Sequence, residues 1–463
     1  MIEDCIIALK TALGTEKVLT DNDLSDRYTH IWRMDAGLNA LAIVLPASTT
    51  ELSECMKICN GLKQKVVVHG GLTNLVGGTK TSSDEIVISL EKMNRITEVD
   101  LESRTVTAEA GVILENLHQV VEAKGMMFPL SFGAKGSAQI GGMVSSNAGG
   151  LRVLRYGMTR NLVLGLEVVL ADGRILSSLK KIIKDNTAYD LKQLFIGSEG
   201  TLGIITKAVL KLVEAPRSRC SAFVGFDDYE KVVAFLKFID QGLAGLLSGY
   251  ELIWADTYAC MTAPESVLQP LPLGYKYYVL IESLGSNQEN DQARMEGLLE
   301  EALEKEMILD AVPAQTVSDL EYFWKIREDV HVIKSNCTMD HHFDISLPIA
   351  LIGDYVDETL VKLKAIEGVN QAYTFGHIAD GNIHFIVDRA TDNTQLINQI
   401  NDTVYRPLQA LGGSVSAEHG IGTDKRAYLK FSRTGEELDI MQTLKNTLDP
   451  FGILNHGKIF FDD

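Results

Sequence analysis

Over the first 215 residues, short apolar runs alternate with stretches of helical spacing, and glycines punctuate both. Leu41-Ala-Ile-Val-Leu45, ended by Pro46, predicts a strand. Ser48-Thr-Thr-Glu51 predicts the capped start of a helix that reaches about Asn60. Lys65–His69, Glu85–Leu90 and Thr105–Ala110 predict further strands, and Leu114–Lys124 a helix. Met1 to about Asp35 reads as helical at first and then irregular. Asn161–Leu170 is apolar enough for a buried strand, and Asp172-Gly173 marks a hairpin turn. Ala208–Val213 is one more strand before a boundary at Pro216. Beyond it, strands alternate with acidic helices at Asp227–Asp240 and Gln288–Glu306, and Glu321–Lys334 reads as helix. Glu436–Leu448 is a helix stopped by Asp449-Pro450. Such a mixture predicts an α+β protein.

Two kinds of segment break this pattern. The first is rich in glycine. Lys65–His69 runs into Gly70-Gly-Leu-Thr-Asn-Leu-Val-Gly77-Gly78. Ser131–Gly157 carries seven glycines between Gly133 and Gly157, too few large side chains to build a core. Phe195-Ile-Gly-Ser-Glu199-Gly200-Thr-Leu-Gly203-Ile-Ile205 is a third. Glycine lets backbone come close to a ligand, and long ordered loops in compact domains are usually functional. No G-x-G-x-x-G follows a strand, so that dinucleotide fold is unsupported. Gly452-Ile-Leu-Asn-His-Gly457-Lys458 mimics a P-loop, but Ile459 sits where Ser or Thr would bind magnesium.

The second kind is a histidine-bearing hairpin, Tyr373-Thr-Phe-Gly-His377-Ile-Ala-Asp380-Gly381-Asn382-Ile-His384-Phe. With Asp380-Gly381 as a two-residue loop, His377 would lie opposite His384. Opposed residues share a sheet face, their Cβ atoms about 4.5–5.5 Å apart. Ser416-Ala-Glu418-His419-Gly-Ile-Gly422 then adds a carboxylate. Two His and one Glu with an open position make a catalytic divalent-metal site. The bland alternative is a half-exposed polar face.

A chain of 463 residues, 46% hydrophobic, exceeds one core and predicts two or three domains. A net charge of −19 disfavours nucleic acid as a partner. No apolar run approaches the roughly 18 residues of a membrane span, and the acidic start lacks the pattern of a secretory signal. Six cysteines without a CxxC pair fit a reducing compartment, and a cytoplasmic location, peripheral to any membrane acceptor, is the expectation. Cys55 and Cys59 fall in the predicted helix Ser48–Gln64, where they are expected to pack or lie on its surface rather than bind zinc.

Together these segments resemble the FAD-linked oxidases with the vanillyl-alcohol-oxidase, or PCMH, type of flavin domain. The branch is that of D-lactate dehydrogenase, D-2-hydroxyglutarate dehydrogenase and the glycolate oxidase D subunit. The resemblance runs from about Asp26 to Lys458, with several motifs in the same order. It implies a PCMH-type FAD-binding domain (1–215), an antiparallel-sheet substrate domain (216–425) and a C-terminal segment (426–463) returning to the first. It also implies that His69, Gly70, Gly71, Leu72, Thr73, Asn74, Gly77 and Gly78 hold the FAD pyrophosphate. Asn74 replaces a usual glycine, and asparagine tolerates positive φ. His69 precedes the glycine pair, so noncovalent FAD is expected. Pro129, Gly136, Ser137, Gln139, Gly141, Gly142, Ser145, Asn147, Gly149 and Gly150 match the second flavin segment. Glu199, Gly200, Gly203 and Ile205 match the third, and Asn455 belongs to the returning tail.

By the same resemblance His377, His384 and Glu418 ligate zinc or manganese, His419 is the general base, and Asn382 supports substrate or flavin. For Glu418 and His419 both to face the site, the backbone must bend, which Gly420 and Gly422 permit. Arg327 matches the arginine for the substrate carboxylate. His331 and His342 stand where 2-hydroxyglutarate enzymes use Thr and Lys for the distal carboxylate. The implied activity is oxidation of a D-2-hydroxy acid, with a quinone, cytochrome or electron-transfer flavoprotein as acceptor; a homodimer is one assembly it allows. Alternatives are a flavin subunit of a glycolate-oxidising complex, non-redox chemistry of the alkyl-glycerone-phosphate synthase type, and a flavin-free metal hydrolase.

Overall fold

The computed structural model describes residues 2–32, 37–264 and 266–461. The predicted irregular stretch before Asp35 runs in part into residues outside this set. The chain forms two compact units. One comprises the chain up to Gly150, Gly157–Ala215 and the stretch from Glu418 on; the other comprises Leu151–Tyr156 and Pro216–Ala417. The second unit therefore ends at Ala417, earlier than the expected 425.

In the first unit the apolar runs Ala42–Val44, Ile86–Ser89 and Val66–His69 form parallel strands, with Val18–Leu19 antiparallel at the edge. Parallel strands are buried on both faces, which explains their unbroken hydrophobicity. Helices Ile2–Leu13 and Thr49–Leu62 supply Leu9, Leu52 and Met56 to the core that Val66, Ile86 and Ile88 share. The Ser48 side chain caps the second helix by accepting from the Glu51 N–H. A second, antiparallel sheet has the order Ile96–Asp100, Thr105–Glu109, Ile204–Lys211, Val163–Val169, Ile175–Ser178. Its hairpin turn at Asp172-Gly173 is present, with Gly173 at φ 83°.

The second unit is a seven-stranded antiparallel sheet. Its order is Asp310–Pro313, Ser218–Phe226, Tyr277–Gly285, Leu247–Trp254, Val369–His377, Asn382–Arg389, Asp340–Ser346. Helices cover both faces. Tyr250 sends its hydroxyl to the Val232 carbonyl on Tyr229–Leu243, while Ile253, Leu280 and Phe375 pack with Phe323 and Trp324 of Val317–Glu328.

Two expectations are corrected here. Helix 321–334 is two helices, Val317–Glu328 and Val330–Ser335, separated at Asp329. The histidine hairpin has a longer loop than two residues. Ile378–Asp380 is a 3-10 turn closed by Gly381 at φ 84°, and the register sets Phe375, not His377, opposite His384. The slip is two residues, so every side chain keeps its face.

Candidate active site

The glycine segments meet within the first unit. His69 ends its strand with Nε2 2.9 Å from the Thr79 carbonyl. Burial pulls its pKa down to about 4, so the ring is neutral and donates to that carbonyl. A Cβ on Gly71 would lie 1.9 Å from the Ser137 carbonyl oxygen, so only glycine fits. A Cβ on Gly70 would stand 3.6 Å from Gln139 Oε1 and 3.7 Å from Gly142, which places the short helix Ile140–Ser146 against this loop. The third segment joins through N–H donation from Glu199 to the Ser145 carbonyl (2.8 Å) and from Gly197 to the Val144 carbonyl (3.1 Å).

Several glycines serve the chain itself. A Cβ would lie 2.7 Å from the Ala110 Cβ at Gly141, 2.3 Å from the Ser131 carbonyl oxygen at Gly150 and 2.6 Å from Val168 Cγ1 at Gly203. Gly142 differs, with nothing within 4 Å of its missing Cβ. Gln139 Oε1 is buried without a hydrogen-bond partner among the described residues. An open glycine face near an orphaned buried acceptor fits a cofactor that approaches the backbone and offers a donor.

Asn74 departs from expectation. Its neighbour Leu72, at φ 56°, takes the left-handed conformation, and Asn74 Oδ1 accepts from the N–H groups of Val76 (3.0 Å) and Gly78 (2.7 Å). Asn74 thus closes the loop with its side chain, the usual role of asparagine in turns. Asn147, at φ 50°, ends Ile140–Ser146 and accepts from Arg160 N–H at 2.9 Å.

Glu199, at φ 51°, is a pivot of the first unit. Its buried carboxylate accepts from Ile421 N–H (2.7 Å) and Gly422 N–H (2.8 Å). Burial raises its pKa, opposed by those two bonds. Asn455 donates to the Glu199 carbonyl (2.5 Å) and accepts from Val68 N–H (2.8 Å). Both side chains are committed within the protein, holding the turn after His419 and the C-terminal piece. That turn is bent as required, with Gly420 at φ 87° and Gly422 at φ 51°. Glu418 lies against Gly149, whose added Cβ would be 2.6 Å from Glu418 Oε1.

In the second unit one sheet face gathers the chemistry. His377 and His384 lie with ring centroids 5.5 Å apart, edge to face. Glu251, directly across the ladder from His377, approaches its Nδ1 to 2.7 Å. The same carboxylate takes Arg327, with Nε at 3.0 Å and Nη2 at 2.7 Å. Arg327 is 4% exposed, its guanidinium over the Phe375 ring at 4.7 Å, so it is no surface arginine. The His377 ring and the Arg327 guanidinium beside it hold the Glu251 carboxyl below its usual range despite burial. Asp344, fully buried, faces His384 from the next strand, 3.9 Å from its Nδ1. It also accepts from Asn382 Nδ2 (2.8 Å) and from Ala417 N–H (3.2 Å). Asn382 thereby spends its amide nitrogen, and its buried Oδ1 has no hydrogen-bond partner among the described residues. Two imidazoles, each beside a buried carboxylate, are donors that suit a divalent cation.

The remaining predicted residues sit less centrally. His342 bonds Asp340 at 2.5 Å, and His331 is exposed on Val330–Ser335. Glu251 and Asp344 were not among the sequence candidates. The signal for Glu251 is the one charge in the strand Leu247–Trp254, whereas Asp344 lies in the polar strand Asp340–Ser346 and gives no such signal.

Family models match the chain twice, as "FAD binding domain" over residues 40–178 and "FAD linked oxidases, C-terminal domain" over 215–459. A probable D-2-hydroxyglutarate dehydrogenase, mitochondrial, of Oryza sativa subsp. indica is 38% identical over 98% of this chain and 81% of its own. The D-2-hydroxyglutarate dehydrogenase of Stutzerimonas stutzeri is 34% identical over 98% of each chain. Among solved structures, p-cresol methylhydroxylase matches with TM-score 0.76 at 18% identity over 99% of this chain and 97% of its own. Alkyldihydroxyacetonephosphate synthase matches with TM-score 0.74 at 15% over 98% and 85%. These two likenesses show the fold alone. The cytoplasmic expectation is overturned, since the relatives from rice, Arabidopsis thaliana, Danio rerio and Bos taurus are named mitochondrial. Unpaired cysteines report a reducing compartment and do not distinguish one such compartment from another. Among the described residues no helix is long and apolar enough to cross a membrane. With both models matched in order and full-length relatives above 30% identity, the chain belongs to the FAD linked oxidases and is a flavin-dependent oxidoreductase.

Proposed function

We propose that this enzyme oxidises a D-2-hydroxy acid, of the D-2-hydroxyglutarate or D-lactate type, to the 2-oxo acid with FAD and a divalent metal. The observation that carries the reading is the pair His377 and His384, each beside a buried carboxylate, in a chain whose relatives are named for that activity. His377, His384 and Glu418 would hold the ion, zinc or manganese. Glu418 follows Ala417 in the chain, and Ala417 is fixed to Asp344.

When bound, FAD would supply the hydride acceptor, and an ion held by His377, His384 and Glu418 would supply Lewis acidity towards the substrate hydroxyl. Arg327 pairs with the substrate carboxylate, its plane set by Glu251 and Phe375. His419 takes the hydroxyl proton. Asn382 offers its Oδ1 as an acceptor. His342 brings Asp340 with it, which weakens it as a receptor for a distal carboxylate. The proposed electron acceptor is a quinone, a cytochrome or an electron-transfer flavoprotein.

The test is anaerobic bleaching of the visible flavin absorbance by D- and L-lactate, glycolate, D- and L-2-hydroxyglutarate and D-malate, with and without a chelator. Bleaching by a D-acid that the chelator suppresses is the expected result. A yellow protein that none of these acids bleaches would overturn the reading.

A further inference from the structure

We propose that Glu251 is a positioning residue that fixes the metal-facing imidazole and the substrate-facing guanidinium together. The inference rests on the metal and substrate roles proposed above for His377 and Arg327, and adds a residue that neither contains.

Glu251 lies in Leu247–Trp254, directly across the antiparallel ladder from His377, so the two side chains share a face. It is 1% exposed. One carboxylate oxygen meets His377 Nδ1 at 2.7 Å, and the other meets Arg327 Nε at 3.0 Å and Nη2 at 2.7 Å. A bond from Nδ1–H to an anion selects the tautomer whose Nε2 lone pair is available to a cation. The same anion turns the arginine plane edge-on and lets it rest on Phe375. Phe375 is in turn the cross-strand partner of His384 and packs on it, with centroids 5.2 Å apart. One buried carboxylate therefore sets the aim of a proposed metal ligand and of a proposed substrate anchor. A structural counterion for Arg327 would need neither the His377 bond nor the shared face.

The test measures metal affinity directly. Zn²⁺ and Mn²⁺ are titrated by equilibrium dialysis into FAD-loaded, metal-stripped enzyme. The variants are E251Q, the charge-balanced E251Q/R327M and H377A. Glu251→Gln should weaken metal binding about 10- to 100-fold, the usual cost of losing an outer carboxylate. E251Q leaves Arg327 unpaired and risks misfolding. E251Q/R327M removes the buried pair together, which proteins tolerate. It too should bind metal 10- to 100-fold more weakly than wild type. Wild-type affinity in the double variant would reduce Glu251 to a counterion and overturn the proposal. Wild-type affinity in H377A would instead remove the metal from His377 and overturn the reading beneath it.

Discussion

Glu251 and Asp344 in the second unit hold side chains, Asp344 together with the Ala417 N–H, whereas Glu199 and Asn455 in the first hold only backbone. Asn74, Asn147 and His69 follow Glu199, since each commits a polar side-chain atom to main-chain groups of its own unit. The result in the first unit is a shaped surface of main chain, suited to a large cofactor that carries its own redox chemistry. In the second unit a few side chains must point correctly, and buried carboxylates aim them. Substitutions in the second unit should therefore act on chemistry and on ligand affinity. Those in the first, Glu418 and His419 apart, should act on stability and cofactor retention.

His419 is the sharpest challenge to this contrast, because it is a proposed chemical side chain that belongs to the first unit. His419→Ala should keep FAD and metal yet slow flavin reduction about 10²- to 10⁴-fold, the span of general-base catalysis. Stopped-flow reduction by the best D-acid measures it, and wild-type rates would strip His419 of that role. Arg327→Ala comes next. It leaves Glu251 buried without its guanidinium partner, a loss of about 3–5 kcal/mol for a broken buried pair. It should also raise KM. Urea unfolding and steady-state kinetics separate the two effects. Lowered stability with an unchanged KM would make Arg327 a fold residue and move it to the other side of the comparison.

What the sequence discloses follows the same division. The histidine hairpin is legible because Asp-Gly and period-2 alternation are local signals, and a two-residue slip preserves the face. Its register is not legible. The 3-10 turn at Ile378–Asp380 consumes residues that a tight loop would pair, and Gly376 is needed because the Asn382 carbonyl oxygen would lie 2.2 Å from any Cβ there. The glycine segments announce close approach but not its partner. Gly141 and Gly150 approach other parts of the chain, and Gly142 faces open space. Glu251 escapes detection because the histidine it aims lies 126 residues away, a relation made only by the order of strands in the sheet.

The smallest effect sharpens the first unit's side of the contrast. His69 acts on a backbone carbonyl, and burial, helped by Lys458 and Arg27, lowers its pKa from 6.5 to about 4. Below pH 6.5 the unfolded chain takes up a proton that the folded ring refuses. Stability from this group is therefore full above pH 6.5 and lost as the pH falls towards 4. Between pH 7 and pH 5 the loss amounts to about 2 kcal/mol. His69→Gln keeps a donor for the Thr79 carbonyl and does not titrate. Its urea midpoint should fall less than that of wild type between those pH values, and its FAD should be retained further into acid. An equal fall in both proteins would show that His69 is not charged on unfolding at the cost its burial demands. The first unit would then owe its acid sensitivity to other groups.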